Sequence, residues 1–316
     1  MKNLLTGAQR PLLLFLLMII VPQWVAAESL ATMLEAVRST QAGESDSGGY
    51  TPSEKELAMA EGLFRRVLAG ESGPRLRQQW AELGFELTGT RSESIPMLVL
   101  QEIGGGSTQS KFLGKGFFAF AVGRESKTVL QVPHSFADAD TRVIALELMA
   151  RYNFRAAAWN TAPATLPVHS SLPPDLQPPP RKDFMLAFTR ALLFEEPESR
   201  VVQLHSFEKT RMYSSNARHA DIILSGYGES SNQAIGWLSR CLKKNLNYKV
   251  RTFPFEVQEM GAGKRMAGAN ENLIGAVMQA FDSQGFLHVA MSEGFREELR
   301  VYPQVQKALF ACLGRE

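Results

Sequence analysis

Short apolar stretches alternate with polar ones along most of this chain, and their periods define the expected elements. Residues 52–69 place Leu57, Ala60, Leu63, Val67 and Leu68 at helical spacing, and a second helix is expected over 74–83. Three β-like runs follow, at 85–88, 96–101 and 116–122. Gly104, Gly105 and Gly106 mark a hairpin connection between the last two. In the third run Phe117, Phe118 and Phe120 read most simply as core packing.

From Thr128 the texture changes to short, continuous apolar runs separated by amphipathic ones. Strands are expected at 129–133, 155–160, 201–205, 221–225, 248–253 and 286–290. Helices are expected at 142–152, 184–194, 232–245 and 271–284, with two short helices closing the chain. Strands buried on both faces and separated by helices imply an α/β fold, a mainly parallel (mixed) sheet flanked by helices. Residues 162–181 carry seven prolines and little periodicity, the pattern of an irregular surface loop.

The first residues stand apart. Lys2 and Arg10 precede an apolar run from 11 to 21, and Val25, Ala26 and Ala27 supply small residues before Glu28, the layout of a cleaved secretory signal. The run is about half the ~20 residues a membrane-spanning helix needs, so no stable membrane insertion is expected after cleavage. Periplasmic or secreted localisation follows as the expectation. The chain then divides into a signal peptide (1–27), a linker rich in Ser, Gly and acidic residues (28–51), an N-terminal α+β subregion (52–126) and an α/β domain (127–316).

Charge narrows the partners. Removing the leader takes Lys+Arg from 34 to 32, equal to Asp+Glu at 32, so the mature chain offers no electrostatic reason for nucleic acid as a partner. The two cysteines, Cys241 and Cys312, allow either one disulfide or two buried thiols in neighbouring helices. Neither has a second cysteine nearby, so they are not a metal site.

Candidate chemistry concentrates where α/β sheets bind ligands, beyond the carboxyl ends of the strands. His134 follows one expected strand, His205 ends another and His288 lies inside a third; His169 falls in a loop and His219 near a strand start. Asp138 comes four residues after His134, while Glu208 and Arg211 come three and six after His205. Two histidines and one carboxylate with an open position for water are the usual ligands of a hydrolytic zinc centre, and an arginine nearby suits a carboxylate or oxyanion. Equally, both histidines could be hydrogen-bonded structural residues, and Asp138 could cap the helix that starts near Arg142. Gly104–Gly106 lacks the following Lys-Ser/Thr of a phosphate loop, and Ser225 lacks the Gly-x-Ser-x-Gly elbow of serine hydrolases.

The stretch Leu-Gln-Val-Pro-His-Ser-Phe-x-Asp-x-x-Thr at 130–141 resembles the N-formylglutamate amidohydrolases and, more distantly, the zinc carboxypeptidases. Ala158-Trp159-Asn160-Thr161, 201–207 and 285–292 are similar to that group and occur in its order. The resemblance implies a phosphorylase/hydrolase-like α/β fold, one Zn2+ and hydrolysis of an amide or peptide bond beside a substrate carboxylate. It implies His134, Asp138 and His205 as metal ligands, Arg211 as a substrate or oxyanion contact, and a small peptide or acyl-amino acid as substrate.

Three departures belong beside it. Ala290 stands where the group carries a glutamate general base; Glu293, three residues on, either reaches the site in its place or favours a helix N-terminus. The loop after Thr161 lacks an expected Asp-x-Ala-His, with His169 there instead, and Arg265 replaces an asparagine after Glu259-Met-Gly-Ala-Gly. A zinc-dependent amidohydrolase or carboxypeptidase-like enzyme is therefore expected, or a degenerate relative that binds a peptide or cell-wall fragment.

Overall fold

The computed structural model describes residues 29–41, 50–92, 95–104, 113–162, 182–227, 232–258 and 272–314. The expected leader, Gly105 and Gly106, the proline-rich stretch with His169, and the 259–265 segment lie outside the described residues.

The elements run α1 (Leu30–Gln41), α2 (Glu54–Leu68), α3 (Pro74–Glu82), β1 (Phe85–Ser92), β2 (Ile95–Glu102), β3 (Phe117–Ala121), β4 (Thr128–Val132) and α4 (Thr141–Arg151). Then come β5 (Ala156–Trp159), α5 (Phe184–Glu195), β6 (Arg200–Phe207), α6 (Ser215–Arg218), β7 (Ile222–Ser225) and α7 (Asn232–Asn245). The last are β8 (Val250–Thr252), α8 (Leu273–Ala280), β9 (Phe286–Ser292), α9 (Glu293–Val301) and α10 (Pro303–Leu313).

The described strands form one sheet in the order β1-β2-β3-β5-β4-β6-β9-β7-β8. Its centre, β5-β4-β6-β9, is parallel. The β1-β2-β3 flank is antiparallel and joins β5 antiparallel; on the other side β7 runs against β9 and β8 runs with β7. The fold is therefore α/β with a mixed sheet, as expected, but parallel pairing is confined to the centre and to β7–β8. The short connections make β1–β2 and β2–β3 antiparallel, whereas helical crossovers separate the strands of the parallel pairs. The N-terminal subregion is thus the edge of the same sheet.

Strand residues alternate between two cores, as their pleat requires. Leu130, Val132, Ala157, Trp159, Val202, Leu204, Leu287 and Val289 pack with α1, α4, α7, α9 and α10. Val129, Ala156, Ala158, Val201 and Phe286 pack with α2, α3, α5 and α8. Phe64 anchors that second layer, its ring 4.8 Å from Trp80, 4.9 Å from Phe118 and 5.4 Å from Phe188. Helix α2 starts with a capping box in which Ser53 and Glu56 satisfy each other's backbone N–H.

Two sequence expectations change. Helix α1 occupies half of the segment read as linker: Leu30, Met33, Leu34 and Val37 are buried, an i, i+3, i+4, i+7 stripe laid on the first core. The Ser, Gly and acidic residues around the stripe masked it. The cysteine alternatives also resolve, because Cys241 and Cys312 form a disulfide between α7 and α10.

Candidate functional site

Strand β4 ends at Val132 and the chain turns back on itself. The N–H groups of Ala137 and Asp138 both donate to the carbonyl of His134, at 3.0 and 2.8 Å, so four residues of sequence become one tight turn. The Ser135 hydroxyl donates to Val132 O at 2.9 Å and fixes where the turn begins. β6, paired with β4 through Thr128↔Arg200 to Gln131↔Gln203, continues past the end of β4 and carries His205 to the level of this turn. Residues 67 to 71 positions apart in sequence thereby become neighbours. Asp138 Oδ2 lies 3.1 Å from His205 Nδ1, and the His134 and His205 rings are 5.3 Å apart with planes at 62°.

The carboxylate is held on its other side by Ser206, whose hydroxyl donates to Asp138 Oδ1 at 3.2 Å. Burial alone would raise the Asp138 pKa, but the adjoining His205, His134 and Ser206 outweigh it and hold the carboxyl below its usual range. His134 reaches solvent, yet it is held below the usual imidazole range by the packing around it and by His205, against the pull of Asp138. The lowered pKa of His134 keeps its ring lone pair available near neutrality.

The pair distances can be tested against a divalent ion. Two donors each ~2.0–2.1 Å from one tetrahedral metal lie about 3.3 Å apart, and two imidazoles on it have ring centres about 5.3 Å apart. The 3.1 Å contact and the 5.3 Å ring spacing match both values. A direct interaction of His205 Nδ1 with the Asp138 carboxylate accounts for the same 3.1 Å contact and lowers the Asp138 pKa. Among the described residues no group of three or more His, Cys, Asp or Glu is placed to hold a metal ion. The donor types suit a divalent ion, but the three side chains do not converge on one point in this structure.

The remaining candidates are placed elsewhere. Arg211 sits in a 3-10 turn, Lys209–Arg211, and pairs with Glu208 at 2.7 Å with both side chains more than half exposed. No described contact joins it to the histidines. Glu293 is the first residue of α9 and is exposed, the position of an acidic residue at a helix N-terminus. Ala290 is 1 % exposed in an apolar patch with Phe207, Ile223 and Phe253, directly beside His205 in the β6–β9 register. Asp138 does not cap α4; that position belongs to Asp140, in left-handed conformation at φ 62°. His219 closes α6, its Nδ1 2.7 Å from Ser215 O.

Spacing alone left His288 unassigned, and the structure stacks it on His205, ring centres 4.1 Å apart and planes at 14°. Burial, His205 and His134 push its pKa well below the imidazole range. Beneath the rings runs a buried polar chain. Gln203 Nε2 donates to Gln131 Oε1 at 3.0 Å, Gln131 Nε2 to Thr189 Oγ1 at 2.8 Å, and Asn272 Nδ2 to Gln203 Oε1 at 2.6 Å. Asn272 also caps α8. The signal was present as alternation, since Gln203 and His205 on β6, and His288 and Ala290 on β9, share one face of the sheet.

No protein-family model matches the chain, and no curated protein matches it. Among solved structures it is similar to a candidate metallopeptidase from Shewanella amazonensis SB2B at 6 % identity and TM-score 0.36, covering 86 % of this chain and 100 % of that one. A candidate carboxypeptidase A from Shewanella denitrificans OS-217 matches at 7 % identity and TM-score 0.36, over 72 % and 76 % of the two chains. A succinylglutamate desuccinylase/aspartoacylase from Rhodobacter sphaeroides matches at 13 % identity and TM-score 0.28, over 73 % and 65 %. TM-scores below 0.5 carry no argument about activity, which has to be read from the site itself.

Proposed function

We propose that this chain is an exported, metal-dependent hydrolase of an amide or peptide bond, of the kind that acts on an N-acyl-amino acid or short peptide. One observation carries the reading: His134, Asp138 and His205 meet at the carboxyl ends of β4 and β6, with Asp138 Oδ2 3.1 Å from His205 Nδ1 and the two imidazole rings 5.3 Å apart. Zn2+ bound by these three would acidify a water and polarise the scissile carbonyl. The protein's own part is to hold that set. Ser206 anchors the carboxylate, the His134 turn sets its height, and the buried polar chain locks β4, β6 and α8 together beneath it. His134 reaches solvent and leaves that side of the site open to a ligand.

A second reading, a degenerate relative that binds a peptide or cell-wall fragment without cleaving it, is favoured by Ala290. A buried alanine in an apolar patch takes no proton, and a base contribution of roughly 10²–10⁴ in rate is missing. Zinc content of protein purified without chelator, with turnover of N-acylated amino acids and short peptides, separates the readings. The hydrolase reading expects about one zinc per chain, turnover, and loss of both in His134→Ala and His205→Ala. Bound metal without turnover, with hydrolysis gained in Ala290→Glu, supports the degenerate site. A folded chain that takes up no metal refutes the metal centre.

A further inference from the structure

Helix α4 begins at a residue whose backbone and side chain both break the usual pattern. Asp140 holds the N-cap position in left-handed conformation at φ 62°, a region that residues with a side chain rarely adopt. An aspartate at a helix N-cap normally accepts from the N–H groups of the first turn, and Asp140 makes no such bond. Its carboxylate turns instead to α9. Arg300 Nη1 donates to Oδ1 at 2.7 Å, and Arg296 Nε lies 3.7 Å from Oδ2.

The two guanidiniums differ in their surroundings. Arg300 is half exposed, while Arg296 is 4 % exposed and donates from Nη1 to the carbonyl of Met291 at 2.7 Å. Met291 lies near the end of β9 and Asp140 follows β4, so Arg296 joins the chain at the carboxyl ends of the two strands that flank β6. A buried guanidinium needs a counter-charge, and among the described residues Asp140 is the carboxylate within ion-pair distance. From Asp140 the constraint passes back to the site over two residues. The Thr141 hydroxyl donates to Asp138 O at 2.9 Å, Thr141 N–H to Ala139 O at 2.8 Å, and the N–H groups of Ala137 and Asp138 to His134 O. A backbone closed by these bonds moves as one piece, so the grip of α9 on Asp140 fixes where Asp138 meets His205.

We propose that Asp140 is a positioning residue that acts through Asp138: gripped by Arg296 and Arg300, it holds the turn that sets Asp138 Oδ2 3.1 Å from His205 Nδ1. The left-handed backbone is the strained part of this device, and such backbone persists where surrounding contacts over-determine it. The consequence at the site is the tautomer of His205. A carboxylate facing Nδ1 keeps the proton there and leaves Nε2 as the lone-pair nitrogen. The inference deepens the reading of the site but rests only on the Asp138–His205 contact, so it holds or fails apart from metal binding.

The experiment reads the 15N shifts of the His205 ring through its carbon-bound protons, in the chelator-treated full chain and mildly alkaline buffer. The two shifts separate the Nδ1–H form from the Nε2–H form, and comparison with His205→Gln assigns them. Wild type is expected to hold His205 almost wholly as Nδ1–H. Asp140→Gly frees the backbone of strain, Asp140→Asn suits the same conformation, and both remove the charge; each is expected to give a mixture of the two forms. Arg300→Met should give a smaller change in the same direction, and Arg300→Lys, which keeps the charge, a ratio close to wild type. Circular dichroism checks that each variant is folded. A wild-type ratio in either folded Asp140 variant marks an ion pair that serves the fold alone and overturns the proposal, as does a mixture in wild type. If neither Asp140 variant folds, Arg300→Met decides, and an unchanged ratio there overturns it.

Discussion

Reducing the Cys241–Cys312 bond is the perturbation whose magnitude follows most directly from the structure. The cross-link joins α7 to α10 and closes a segment with a sequence separation of 71. For that separation the chain-entropy relation gives about 15 cal/mol/K, or about 4.4 kcal/mol at 25 °C, lost mainly because the reduced unfolded chain regains freedom. The folded side changes little. Leu238 and Leu242 of α7 and Leu309 and Leu313 of α10 are each at most 1 % exposed and keep the two helices in one core without the sulfurs. The assay is urea unfolding followed by far-ultraviolet circular dichroism, oxidised against fully reduced, at one protein concentration. A loss of 2–5 kcal/mol is expected, with a larger m-value for the reduced chain because its unfolded state exposes more surface. Coincident transitions for the two forms would refute the reasoning about magnitude. Two titratable thiols in protein recovered from an oxidising medium would refute the pairing itself.

Three further outcomes are expected. Asp138→Asn removes a charge that Ser206 and His205 position, so divalent-metal affinity should fall at least tenfold while the thermal midpoint stays within a few degrees; calorimetric titration with Zn2+ measures it. Phe64→Ala empties a fully buried site ringed by Trp80, Phe118 and Phe188, at a cost of about 3–5 kcal/mol in chemical unfolding. Glu56 is held at a pKa of about 2, first by the Tyr50 hydroxyl and then by Ser53. A depressed folded pKa gives stability that is present above the ordinary carboxyl range and lost as pH falls toward 2, so Glu56→Gln should flatten the acid limb of stability against pH without moving the neutral plateau much.

The candidate site was legible in part, and the division has a cause. His134 and Asp138 stand out because they are four residues apart and one turn joins them, a relation that spacing along the chain records. His205 stands out only by its place at a strand end and by resemblance, since its distance to Asp138 is set by how β6 extends beyond β4. Arg211 is close to His205 in sequence, but the chain leaves the strand in a 3-10 turn and its guanidinium goes to Glu208 at the surface. His288 was visible as a histidine and invisible as a partner, because β9 sits between β6 and β7 in the sheet and not beside β8, the strand nearest it in sequence.

The order of elements, the two-faced burial of the central strands and most of the helices follow from the periods of apolar residues, which are local properties any reader of the chain can count. Even α1 was written in such a period, at Leu30, Met33, Leu34 and Val37. What the chain does not record is which strand lies beside which. Strand order, the antiparallel flanks, the disulfide and the meeting of His134, Asp138, His205 and His288 all depend on contacts between residues tens of positions apart. Those contacts form only once the crossover helices have packed both faces of the sheet, and so the tertiary structure alone decides them.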